Sequence, residues 1–384
     1  MIYLDHASTT PIDERVLEAM LPYLREKFAN PSGTYSISLE VRKAIDDARK
    51  TFSEILGCSP DEIIFTSGGT EANNLAIKGV AFALRSKGNH IITTKIEHHS
   101  VLHTCEFLED MGFEVTYLPV DKYGLVSPDD LEREIKDETI LVTIMLANNE
   151  IGTIEPIEEL SKITRKKGII FHTDAVQGAG LLELDVNKLG IDLLTLSAHK
   201  FYGPKGVGVL YIRDGTPLVP LLHGGAQEGG RRAGTENVAG IVGASVAFRI
   251  AEEEREGEVR RLIHLRDLLI DGLSGVGFLN GHPERRLPNN VNMTFPGVES
   301  EALLLDLDLS GIEVSTRSSC ASSSPEPSHV LLAIGLSERD ARSSLRLTLG
   351  RSNSEEDVRY TIDVIKRSVM RLKKISEGID ADIR

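Results

Sequence analysis

Six apolar, β-rich runs recur along the first half of the chain, and their alternation with helix-period segments restricts the fold more than any other feature. They are "EIIFTS" (62–67), "HIITT" (90–94), "FEVTYLPV" (113–120), "ILVTIML" (140–146), "GIIFHTD" (168–174) and "DLLTLS" (192–197). Between several of them lie segments with helical spacing, such as "EANNLAIKGVAFALRSKG" and "IEELSKITRKKG". The second closes on basic residues and a glycine, as a helix C-terminus does. Strands alternating with helices form βαβ units in a mostly parallel sheet, so the fold class is α/β. Ligands bind such sheets at the carboxyl ends of the strands. Asp174, Asn148 to Glu150, and Lys200 all fall there.

The pattern changes after about Gly257. A helical stretch, "VRRLIHLRDLLIDGL", leads into a loop and a strand, and the chain closes on a helix in which Val358, Ile362, Ile365, Val369 and Leu372 repeat at helical spacing. Ser354 is placed to cap that helix. The expected organisation is a large domain over 16–256 and a smaller α/β domain over 257–384, joined by residues 1–15. With 384 residues and 41% hydrophobic content the chain can bury a substantial core. A net charge of −15 leaves no broad basic footprint for nucleic acid or an anionic membrane. The start, "MIYLDHASTT", carries no export signal, and no apolar run reaches membrane-spanning length, so a cytoplasmic location is expected. Cys58, Cys105 and Cys320 lie far apart, without the spacing of a disulfide framework or a metal site.

Lys200 follows Leu193, Leu194 and Leu196 and precedes Phe201 and Tyr202. Partial burial would lower its pKa and free a lone pair for nucleophilic work. Taken alone, the stretch more readily describes a lysine whose stem packs on apolar surface while its head reaches water. "TSGGTEANN" follows one strand and opens a helix, which aims the backbone N–H groups of Gly68, Gly69 and Thr70 at an anion. Its spacing fits neither a dinucleotide motif nor a P-loop, which leaves a simpler phosphate or an ordinary turn. Asp174 can face a cationic ring nitrogen, as the acidic partner of a Schiff-base lysine does in pyridoxal-phosphate sites, or cap the following turn. His98 can lie against a ring or exchange protons. Phosphate cradle, acid and amine at successive strand ends make a joint signal stronger than any member.

The motifs "LDHASTTP", "FTSGGTEANNLAIKG", "EHHSVL", "NNEIGTIEPI", "HTDAVQGAG", "LSAHKFYGPKGVGVLY", "RRAGTENVAGIVG" and "SSLRLTLGR" together resemble those of the NifS/IscS-type cysteine desulfurases. These are class V enzymes of fold-type I that use pyridoxal 5'-phosphate. The likeness spans nearly the whole chain, and "SAHKxYGPKG" with "NNEIGT" is its most specific part. It implies that Lys200 forms the Schiff base, Asp174 holds the pyridinium nitrogen, Gln177 contacts the ring hydroxyl and His98 stacks on the ring. Gly69, Thr70, Ser197 and His199 would hold the phosphate, with Thr235 reaching it from the other subunit of a homodimer. Asn149 would touch the cofactor and, with Arg346, grip the substrate carboxylate, a role that suits a planar guanidinium.

The resemblance further implies that L-cysteine becomes L-alanine while its sulfur passes to Cys320 as a persulfide, for delivery to an acceptor such as an iron–sulfur scaffold. Cys58 and Cys105 are expected to serve packing. Two stretches depart from the family: Arg317-Ser318-Ser319 replaces the common Gly-Ser-Ala before the cysteine, and "NPSGTYSISLEVR" lacks the usual His and Gly. A selenocysteine lyase, a class V aminotransferase and a non-catalytic scaffold are the rival readings.

Overall fold

The main sheet runs in the spatial order Ile63–Thr66, Gly208–Ile212, Leu193–Ser197, Ile170–Asp174, Thr139–Thr143, His90–Thr94, Glu114–Leu118. The computed structural model describes residues 1–316 and 326–382, and Arg317, Ser319 and Cys320 lie outside them. Gly208–Ile212 is antiparallel to both its neighbours and the remaining pairs are parallel. All six apolar runs contribute a strand. Ile63, Phe65, Leu194, Leu196, Val209 and Tyr211 face one apolar core, whereas Ile64, Leu193, Leu210 and Ile212 face another across the sheet. A sheet covered on both faces explains why the central runs are largely apolar rather than alternating, whereas the edge strand Glu114–Leu118 is only part-buried. Each buried Leu- or Ile-sized side chain contributes about 1.5–3 kcal/mol.

Local signals place the helices. The helix Ile157–Lys167 ends at Gly168, whose φ of +68° favours glycine. The helix Glu355–Asp382 starts after Ser354, whose Oγ accepts from the Asp357 N–H at 3.2 Å while Asp357 Oδ2 accepts from the Ser354 N–H at 2.8 Å.

A third core gathers Leu262, Leu265 and Leu269 with Val291, Met293, Leu345, Leu347 and the spaced Val358, Ile362, Ile365 and Val369 of the last helix. The N-terminus reaches it: Ile2–Tyr3 pairs in parallel with Ile312–Glu313, and Leu4 is buried there. One helix, Val238–Leu273, serves both regions, with Ile241, Ala244 and Phe248 in the first core and Leu262 onward in the third. Gly257 therefore sits inside a continuous helix, between its two packing faces.

The turn Asn148–Thr153 is where the regions meet. Its successive carbonyls at Asn149, Glu150, Ile151 and Gly152 accept from Arg346 Nη1 (3.0 Å), Asn292 Nδ2 (3.2 Å), Arg286 Nη2 (3.0 Å) and Leu287 N (2.8 Å). Gly152 has φ +77°, and a Cβ there would lie 2.8 Å from the Asn290 side chain, so only glycine fits the junction.

Just beyond this turn the buried Glu155 accepts from the Val126 N–H through Oε2 at 2.9 Å, and its Oε1 has no hydrogen-bond partner among the described residues. Burial pushes its carboxyl from 4.5 up to about 8, with the Val126 bond opposing and Asp121 assisting. The folded state then holds a proton that the unfolded state has lost, so this residue lowers stability as pH rises from 4.5 to about 8. Glu155→Gln, which is neutral throughout, is expected to unfold at a higher temperature than the parent protein, with a gap that widens between pH 5 and 8 in thermal melts.

Candidate active site

The strand ends at Asp174 and Ser197, the turn at Asn149 and the start of the helix Gly69–Leu84 enclose a cavity of about 160 Å³. Gly69, Thr70, His98, Asn149 and Asp174 line it, as do Gln177, Ser197, His199, Lys200 and Arg346. Ten of the twelve residues singled out in the sequence thus meet in one place. Thr235 lies elsewhere, in a separate small cavity beside Ser67, Arg232 and Asn237, and Cys320 lies outside the described residues. A larger cleft, about 510 Å³, opens beside Arg42, Arg49 and Glu228, but Arg49 and Glu228 are paired with each other at 2.8 Å.

Lys200 leaves the short turn after Leu193–Ser197, and its Nζ donates to the carbonyls of Ala7 (2.5 Å) and Ser8 (2.6 Å). The amine is directed into the cavity rather than displayed at an open surface. The Ala7 carbonyl also accepts from Gln177 Nε2 at 3.0 Å, so the N-terminal turn forms one wall. Gly69 permits close packing on the opposite side, because a Cβ there would lie 3.0 Å from Val176 Cγ2. The helix Gly69–Leu84 begins without a side-chain cap, which leaves its first N–H groups and the positive end of its dipole to an anion.

Asp174 is buried with both oxygens engaged: Oδ1 accepts from the Val176 N–H (3.0 Å) and Oδ2 from Asn73 Nδ2 (2.7 Å). The turn-capping and ring-facing readings of this residue are therefore compatible. Asn73 Nδ2 also donates to Ser100 Oγ at 2.8 Å, and Ser100 Oγ lies 2.8 Å from His98 Nδ1. His98 Nδ1 accepts from the Ser100 N–H at 3.1 Å, which leaves the ring proton on Nε2. Burial holds this imidazole below its ordinary range, with Asp174 opposing and Lys200 assisting, so His98 is neutral at pH 7. His199, whose Nδ1 lies 3.1 Å from Thr9 Oγ1, is pushed down to about 4, first by burial and then by Lys200 and Lys205.

Arg346 is almost completely buried. Its Nη2 donates to Asp5 Oδ1 (2.7 Å) and Ser8 Oγ (2.6 Å), while Nη1 reaches the Asn149 carbonyl (3.0 Å). Its Nε has no hydrogen-bond partner among the described residues. A buried cation beside a cavity with donor capacity to spare suits an anionic ligand group.

Reading the sequence missed Asn73, Ser100, Asp5 and Ser8. Asn73 was within the quoted "SGGTEANN", but a polar residue on a helix has no signal of its own, and its role depends on which strand end it faces. With one amide it fixes Asp174 and, through Ser100, His98. Asn73→Ala is expected to lower kcat about tenfold, the cost of losing a hydrogen bond to a charged group, while Asn73→Asp, which sets a second carboxylate against Asp174, is expected to be worse. Steady-state kinetics of the two variants check this.

A family model described as aminotransferase class-V matches residues 2–360. The chain is 57% identical to "Cysteine desulfurase IscS" of Dictyoglomus turgidum, over 98% of this chain and 96% of the relative. It is likewise 57% identical to "Cysteine desulfurase IscS" of Methanosarcina thermophila, over 98% of this chain and 93% of that one. Among solved structures, a "NIFS-LIKE PROTEIN" superposes with a TM-score of 0.90 at 41% identity, covering 97% of this chain and 99% of the other. "SspA in complex with cysteine" gives 0.82 at 40% identity, covering 91% and 99%. The chain belongs to the aminotransferase class-V family.

The fold is accordingly the fold-type-I α/β architecture expected from the sequence. Pyridoxal phosphate is the cofactor of this class V group, and the residues present fit it. The uncapped helix end suits a phosphate, the doubly held Asp174 suits a protonated ring nitrogen, and Lys200 Nζ lies in the same cavity. Among the described residues no group of three or more His, Cys, Asp or Glu side chains is arranged to hold a metal, and no helix is long and apolar enough to cross a membrane.

Proposed function

We propose that this protein is a pyridoxal-phosphate-dependent cysteine desulfurase that converts L-cysteine to L-alanine and transfers the sulfur to Cys320. The observation that carries the reading is the convergence of Lys200, Asp174, His98 and Arg346 on one cavity. The relatives named cysteine desulfurase, at 57% identity along almost the whole chain, select the reaction within the family. Pyridoxal phosphate, when bound, supplies an electron sink to a substrate carbon that has lost a proton.

The protein's own residues do the rest. Gly69, Thr70, Ser197 and His199 hold the phosphate, joined by Thr235 of the partner subunit in a homodimer. Asp174, fixed by Asn73 and Val176, would hold a carboxylate to the ring nitrogen, and Gln177 would contact the ring hydroxyl. His98, neutral with its proton on Nε2, would face the cofactor ring. Arg346 and Asn149 bind the substrate carboxylate. The Lys200 amine would anchor the cofactor and, when free, would take up the substrate Cα proton and return it.

Cys320 acts as a thiolate on the substrate sulfur. The sulfur–carbon bond of cysteine breaks as a sulfur–sulfur bond to Cys320 forms, and the bonding electrons return to the substrate carbon, which takes up a proton. Cysteine and a thiol become alanine and a persulfide, with no outside oxidant or reductant. The persulfide sulfur then passes to an acceptor protein, such as an iron–sulfur cluster scaffold, in the cytoplasm. Alanine release from L-cysteine by the cofactor-loaded protein tests the reading: no alanine, or alanine only when a keto acid is supplied, would overturn it.

A further inference from the structure

The segment that bears Cys320 leaves the described structure after Thr316 and returns at Glu326, and both of its ends are tied to residues that flank the cavity. At the leaving end, the backbone of Ser315 pairs with that of Arg346, N to O at 3.2 Å and O to N at 2.7 Å. At the returning end, Ser328 Oγ donates to Glu150 Oε2 at 2.6 Å, and His329 Nε2 donates to the Glu97 carbonyl at 3.0 Å. Ser328 and Glu150 are 5% and 3% exposed, so this is a short, charge-assisted bond away from water. Glu150 directly follows Asn149, and Glu97 directly precedes His98.

We infer that the Ser328–Glu150 hydrogen bond is a positioning contact for sulfur transfer, fixing the returning end of the Cys320 segment against the turn that carries Asn149. The inference rests on the desulfurase reading above. The bond is directional in a way that helix capping does not require. Ser328 Oγ already accepts from the Leu331 N–H at 3.2 Å, which caps the helix His329–Ala333, and any acceptor at that position would do the same. Donating the hydroxyl proton as well needs an acceptor on the far side, and Glu150 supplies it. The Glu150 backbone is itself held, its N–H by Asn148 Oδ1 (2.8 Å) and its carbonyl by Asn292 (3.2 Å), so the carboxylate is a fixed post.

Attachment of the returning helix does not depend on this bond. Val330, Leu331 and Ile334 pack with Ile96, Met145 and Ile151 in one apolar cluster. Loss of the hydroxyl is therefore expected to shift Ser328 relative to the turn that carries Asn149, leaving the fold intact. Small displacements near a reacting centre have large kinetic effects.

The test uses the full-length, cofactor-loaded protein with Ser328→Ala, Ser328→Thr, Glu150→Gln and the Ser328→Ala/Glu150→Gln double variant. Three quantities are read: cofactor absorbance, the spectral change on adding cysteine, and the single-turnover rate of persulfide formation on Cys320. Ser328→Ala is expected to keep the first two and slow the third about tenfold, and Ser328→Thr to recover it to within about twofold. The double variant should be no slower than Ser328→Ala, because once the hydroxyl is gone the Glu150 change has no contact left to weaken. An unchanged persulfide rate in Ser328→Ala, an equal loss in all three readouts, or failure of threonine to rescue would overturn the inference. Failure of the desulfurase reading shows differently, as absence of alanine and persulfide from the unmutated protein.

Discussion

Lys200→Ala is expected to lower turnover by several powers of ten and to leave any bound cofactor without a covalent link to the protein. Two functions leave with one amine, the anchoring of the cofactor and the movement of the Cα proton, and their losses compound. No neighbour can take over. His98 is neutral, but its Nδ1 is engaged by Ser100, and His199, held down to about 4, is a poor base near pH 7. The Ala7 and Ser8 carbonyls that Lys200 contacts are backbone acceptors and cannot accept a proton productively. Steady-state kinetics and visible absorption of the purified variant check both parts. Residual turnover within tenfold of the parent would remove Lys200 from its role.

The parts of the fold that could be read from the sequence are those where local pattern and tertiary demand coincide. The strands at His90–Thr94 and Leu193–Ser197 are buried at every position because both sheet faces are covered, and Gly168 ends its helix where a left-handed residue is needed. Gly208–Ile212 carries less local signal. It follows a turn rich in glycine and proline, and it is a strand because it fits between Ile63–Thr66 and Leu193–Ser197, a relation between distant segments. Gly208 itself shows how close that fit is, since a Cβ there would lie 2.4 Å from the Gly68 carbonyl carbon.

The site divides in the same way. Lys200 and Asp174 stand out because a charged group at the end of an apolar strand is conspicuous. Asn73 and Ser100 do not, because each is a polar residue on or beside a helix, and its function is defined by partners in other elements. Asp5 and Ser8 precede Arg346 by more than three hundred residues, so their contact with it appears only once the N-terminus has crossed to the C-terminal core.

Cys320→Ser is expected to bind pyridoxal phosphate, to respond spectrally to cysteine, and to form no protein persulfide, with alanine release reduced on the order of a hundredfold or more. A hydroxyl cannot replace a thiolate as the nucleophile toward sulfur. Nor can the other two cysteines. Cys105 is fully buried among Val101 and Leu108, and burial raises its thiol above the usual range. Cys58 is packed against the first core, and burial pushes its thiol up to about 12. Both are held as protonated thiols in apolar surroundings, which suits packing and not sulfur chemistry.

The central claim is that sulfur leaves free cysteine and arrives on one particular residue. Brief exposure of the cofactor-loaded, unmutated protein to excess L-cysteine, followed by quenching, digestion and mass spectrometry of all three cysteine peptides, tests it most directly. One added sulfur atom on the Cys320 peptide, with alanine formed in equal amount in the first turnover, is the expected result. Sulfur on the Cys58 or Cys105 peptide instead, or alanine formed with none of the three carrying sulfur, would contradict it.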